Sequence, residues 1–208
     1  MNNKIFIGLI MLVSFSVNAK VEVYKAPVPL GLTWGMSFDD FQKETNWAIK
    51  PIEELPSTCP VIGVTFNNVI DGKIEGNYKI YFYKKFKDLK FTGLYGVVYR
   101  YETDDLSLFK VKDNDVIQKL DSQYGEYKKI EGLREGAFIR YDESNLQRSY
   151  FSSRDVRNEK PKEQYKKNED GNYAVTVSYF FYPDIYKKEI AKYINEMKAL
   201  CNVPVETN

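Results

Sequence analysis

The side chains that could carry chemistry in this chain are carboxylates, tyrosines, lysines and serines, because it contains no histidine and only two cysteines. The missing histidine removes Ser-His-Asp and Cys-His nucleophiles, histidine-ligated zinc and imidazole acid–base catalysis. No G-x-G-x-x-G or G-x-x-x-x-G-K-[ST] string is present, so nothing points to a nucleotide fold. A glycosidase needs only two suitably spaced carboxyl groups, and 29 acids give no positional clue to such a pair. Glu53-Glu54 and Asp104-Asp105 read more simply as solvated loop and helix-start residues. Asp113-Asn114-Asp115 resembles the opening of a calcium loop but lacks its later glycine and glutamate, and it too reads as a helix start. No catalytic residue, metal site or cofactor is assigned.

The positive signal is aromatic, with 17 tyrosines and 13 phenylalanines. From Tyr78 to Phe86 the residues alternate, with Tyr78, Ile80 and Phe82 on one face and Lys79, Tyr81 and Tyr83 on the other. From Leu94 to Tyr101 the same period places Tyr95, Val97, Tyr99 and Tyr101 on a single face. Tyrosine supplies contact area and a hydrogen-bonding tip at low entropic cost. Tyr81, Tyr83, Tyr99 and Tyr101 are therefore the candidate binding residues, with the charged segment around Lys160–Lys167 as a further contact. The plainer alternative is a two-sided sheet whose second face is also covered.

The elements that must position these tyrosines are legible in outline. Ser37 is a good N-cap with Asp40 three residues on, and Met36 and Phe41 stand at the staple positions of a short helix, Phe38 to about Thr45. Trp34, beside that cap, is expected in the core. The string Gly31-x-x-Trp34-Gly35-Met36-Ser37 resembles a motif near the mature N-terminus of small exported Gram-negative proteins of largely unknown function. That resemblance spans Gly31 to Phe41 and implies compartment and layout, not activity. Residues 50–60 form a proline-punctuated loop, followed by a strand at Val61–Asn67 and a turn at Asp71-Gly72.

A helical stretch lies within Asp104–Tyr124, with Gly125 placed to end it and Asp113 able to cap a separate second half. Strands at Ala137–Asp142, Leu146–Ser153 and Tyr173–Phe181 come next, and Arg154–Asn172 reads as a long, exposed, mobile loop. A final helix, Asp184–Leu200, aligns Tyr186, Ile190, Tyr193, Met197 and Leu200 on one stripe. The expected fold is α+β: an antiparallel sheet with helices packed on one face, laid out as two α-β-β-β units in tandem.

Residues 1–19 read as a signal peptide. Lys4 is the only charge, an apolar run follows from Ile5, and Val17-Asn18-Ala19 is the cleavage site. The apolar run falls short of the about 20 residues that a spanning helix needs. Residues 20–208 are then a single α+β domain, large enough for one sizeable core. Cleavage removes the one excess positive charge and leaves a neutral chain. That balance argues against nucleic acid as a partner and against binding to anionic membranes. No stable membrane insertion is expected after cleavage. Cys59 and Cys201, in an oxidising compartment and outside any C-x-x-C motif, are expected to form one structural disulfide.

The function expected is that of a periplasmic or secreted, non-catalytic binding protein acting through a protein–protein surface. An immunity-type inhibitor of a delivered toxin is one concrete form. A glycan or small-ligand module and a carboxylate-only cell-wall hydrolase are the alternatives.

Overall fold

The computed structural model describes residues 28–53, 55–70, 73–124, 138–141, 146–155, 164–181 and 184–202. The signal peptide, the turn at Asp71-Gly72, the helix stop at Gly125 and residues 160–163 of the charged segment lie outside the described residues.

In chain order the elements begin with α1 (Phe38–Glu44), a two-residue strand β1 (Lys50–Pro51), β2 (Val61–Ile70), β3 (Lys73–Tyr83) and β4 (Gly93–Thr103). They continue with α2 (Leu106–Tyr124), β5 (Phe138–Tyr141), β6 (Leu146–Ser152), the short β7 (Arg154–Asp155) and β8 (Gln164–Tyr165), β9 (Tyr173–Phe181) and α3 (Asp184–Leu200). Seven strands make one antiparallel sheet in the order β1-β2-β3-β4-β9-β6-β5, while β7 and β8 pair separately. The fold is α+β, as expected. A helix followed by three sheet strands occurs twice, α1 with β2, β3 and β4, then α2 with β5, β6 and β9. The third strands of the two sets, β4 and β9, are neighbours at the centre of the sheet.

Local chemistry accounts for the helix starts. The Ser37 hydroxyl accepts from the Asp40 N–H at 3.1 Å and donates to Asp40 Oδ2 at 2.7 Å. Asp40 thus returns to the cap's side chain, whereas the longer glutamate of a capping box returns to the cap's backbone N–H. Asp105 caps α2, its carboxylate accepting from the N–H groups of Ser107 at 2.7 Å and Leu108 at 3.1 Å. The helix then runs unbroken, so Asp113 caps nothing. It is fully buried in mid-helix and its carboxylate accepts the Tyr150 hydroxyl from β6.

The core lies where α1 and α2 meet one face of the sheet. Phe41, Phe82, Phe109, Phe181, Ile80, Leu94, Val97 and Val175 are fully buried there. Trp34 joins them, stacked on Phe181 with ring centroids 5.5 Å apart. Two segments are better anchored than the sequence implies. Lys50–Pro51 adds an edge strand to β2. In the Arg154–Asn172 stretch, β7 pairs with β8, the Lys166 N–H donates to Ser153 O at 2.9 Å and Tyr165 packs edge-on to Phe109.

Helix α3 is tied to the end of the sheet where β3 passes to β4. It buries Ile190, Tyr193 and Met197. Tyr193 donates its hydroxyl to Asp88, and Lys87 pairs with Glu196. Cys59 and Cys201 form a disulfide across a sequence separation of 142 residues, and the adjacent Thr58 hydroxyl donates to Leu200 O at 3.0 Å.

Candidate functional site

Strict alternation would put Tyr95 beside Val97, Tyr99 and Tyr101. The β3–β4 register prevents this: Tyr81 faces Gly96 and Phe82 faces Leu94, so Tyr95 is an extra residue in β4. A β-bulge of this kind shifts the side-chain alternation by one. Tyr95 therefore turns to the opposite face, where it stacks on Tyr83 with centroids 3.9 Å apart. Tyr81 and Phe180 complete the group at 6.3 and 6.2 Å from Tyr95. Gly96 lies beneath these rings, and a Cβ added there would sit 2.7 Å from Phe180 Cε1 and 3.3 Å from Tyr81 Cδ2. Glycine in a strand interior here marks a close approach of rings to backbone.

This aromatic cluster occupies the face of the sheet turned away from α1 and α2. Tyr83 is buried, while Tyr81, Tyr95 and Phe180 are half-buried. Farther along the same face come Val98, Ser178 and Ser149, then the Arg100–Glu102 ion pair at 2.7 Å and the exposed ring of Phe151.

A second bulge builds a different site on the helix side. Asn68 pairs with Gly76 and Val69 with Ile74, which makes Glu75 the extra residue of β3. Gly76 has φ +146°, and a Cβ there would lie 2.3 Å from the Tyr99 ring. The Tyr99 hydroxyl donates to Glu75 O at 2.8 Å, and Lys112 of α2 reaches the Glu75 carboxylate at 2.7 Å. Lys112 also lies 5.5 Å from the centroid of Tyr101. These groups sit beside a cleft of about 210 Å³ between α2 and strands β3, β4 and β9, whose lining includes Asn68, Glu75, Tyr78, Tyr99 and Lys112.

Burial raises the hydroxyl pKa of both Tyr78 and Tyr99; at Tyr78 the Lys112 charge works against that rise, and at Tyr99 the neighbouring Tyr78 and Glu75 add to it. Outside the cleft, the Tyr193 hydroxyl is the main cause that lowers the Asp88 pKa, with Lys192 adding to it.

The four candidate tyrosines thus divide between two faces. Tyr81 and Tyr83 belong to the aromatic cluster; Tyr99 and Tyr101 belong to the cleft side. Tyr95 and Phe180 join the first pair unforeseen, and Tyr78, Glu75 and Lys112 join the second. The one signal that could have exposed both sites was a glycine inside each strand pattern, Gly76 and Gly96, which reads as a bulge or a close approach.

Among the described residues, no group of three or more histidine, cysteine, aspartate or glutamate side chains is placed to hold a metal ion. Asp104 and Asp105 are both exposed, and Asp105 is occupied as a helix cap. Among the described residues, no helix is long and apolar enough to cross a membrane. The chain matches no protein-family model, no curated protein and no solved structure.

Proposed function

We propose that this is a non-catalytic binding protein of the periplasm that engages another protein through the face carrying Tyr81, Tyr83, Tyr95 and Phe180. The concrete form we favour is an immunity-type inhibitor of a toxin delivered to that compartment. The observation that carries the reading is the contiguous cluster of half-buried aromatic rings on the side of the sheet away from α1 and α2. Protein interfaces concentrate their energy in a few such aromatic anchors, ringed by polar groups that contribute little but exclude water. Ser178, Ser149, Arg100 and Glu102 supply a rim of that kind along the same strands. The compartment rests on the signal-peptide reading of residues 1–19 and accords with the Cys59–Cys201 disulfide.

The test uses the mature chain as bait on envelope extract, beside a variant carrying Tyr81→Ala and Tyr95→Ala. The expected result is one stoichiometric partner retained by the wild type and lost from the variant, with the circular dichroism of the two proteins the same. Equal retention by both, or no stoichiometric partner on either, would overturn the proposal.

A further inference from the structure

The cleft beside α2 has a lining whose chemistry restricts what it can take. Its charged groups are already matched to one another. Lys112 pairs with Glu75 at 2.7 Å, and Lys119 pairs with Asp115 at 3.0 Å, one turn along the helix. An ionic ligand that took Lys112 or Glu75 would break their half-buried pair and leave a partly desolvated charge behind, which is costly. The Lys119–Asp115 pair is largely exposed and adds little to that cost.

Two neutral hydrogen-bonding groups in the cleft have no hydrogen-bond partner among the described residues: the Tyr78 hydroxyl and the Asn68 carboxamide. The remaining wall combines the apolar side chains of Pro29, Val116, Leu120 and Val177 with the rings of Tyr99 and Tyr179. Small-ligand sites combine an apolar wall with a few convergent polar groups in this way. At about 210 Å³ the cleft is smaller than a drug-sized site and suited to one ring of a larger molecule.

We infer that the cleft between α2 and strands β3, β4 and β9 binds a single neutral pyranose unit of a glycan, with Tyr78 and Asn68 bonding its hydroxyls. A sugar hydroxyl both donates and accepts, so it can use the tyrosine hydroxyl and the carboxamide without disturbing either ion pair. The C–H face of the ring packs on the apolar wall. The inference is independent of the protein-binding reading, because the aromatic cluster is on the other face of the sheet.

The test is a titration of the ¹⁵N-labelled mature chain with two neutral disaccharides, N,N′-diacetylchitobiose for an N-acetylated cell-wall sugar and maltose for an unmodified hexose. Saturable shifts at the amides of Asn68, Glu75, Tyr78 and Lys112 are expected with one or both, and the sugar that binds identifies the source. Tyr78→Phe keeps the ring and is expected to weaken binding about 3- to 10-fold, the loss of one hydrogen bond. Asn68→Ala, at a half-buried position, is expected to act in the same direction with the fold intact. The inference is overturned by the absence of saturable shifts with either sugar up to about 10 mM. It is equally overturned if glycine or acetate shifts the cleft amides where the sugars do not, or if the sugar shifts centre on Gly96.

Discussion

Asp113 shows how much a single side chain can decide in this chain. A carboxyl group fully buried in the middle of α2 is tolerable because the Tyr150 hydroxyl reaches it from β6. Tyr150→Phe keeps the ring and removes that donor, and is expected to lower stability by about 1–3 kcal/mol. An unchanged urea midpoint would contradict the role. Tyr78 and Tyr99 give a second prediction, through pH. Burial holds both hydroxyls above the ordinary tyrosine value of 10.0, so above that pH the folded state keeps protons that the unfolded chain would release. Stability is therefore full below pH 10.0 and falls as pH rises through the folded values. Melting temperatures recorded across that range are expected to drop more steeply for the wild type than for Tyr99→Phe, and parallel curves would contradict this. Neither effect was legible in the sequence, where Asp113 read as a helix cap. A buried polar pair has no local signature, because its partner is 37 residues away.

At the scale of elements, alternation revealed the strands but not the irregularities that place the sites. Tyr173–Phe181 and Asp184–Leu200 have the limits their patterns predict, since an uninterrupted period needs no tertiary information. Tyr95 does not follow its pattern, because the extra residue in β4 is set by pairing with β3 and not by β4 itself. Gly76→Ala tests the other bulge. The substitution strains a φ of +146° and drives a methyl group into the Tyr99 ring, so a loss of about 1–3 kcal/mol is expected in denaturant unfolding. A neutral result would mean that the bulge is not held by that contact. The disulfide belongs to the same scale, joining the end of α3 to the loop before β2. On chain-entropy grounds Cys59→Ser with Cys201→Ser is expected to destabilise by at most about 5 kcal/mol. A double variant with the melting temperature of the wild type would show that α3 is held by its packing alone.

For the whole molecule, the two bulges give the two faces of the sheet different side chains. One turns Glu75 toward α2 and builds a cleft with matched charges; the other turns Tyr95 away from the helices and builds an aromatic surface. The α+β class and the helix-then-three-strands order were readable from period and turn residues. The split of the tyrosines was not, because which side of a sheet a residue serves depends on the register of its neighbours. The central claim is that the side carrying Tyr95 meets another protein. It is tested most directly by photocrosslinking in living cells, with p-benzoylphenylalanine placed at Tyr95 and, as a control, at the exposed Lys43 on α1. A single discrete adduct from Tyr95 and none from Lys43 is the predicted result. No adduct from Tyr95, or the same adduct from both positions, would contradict it.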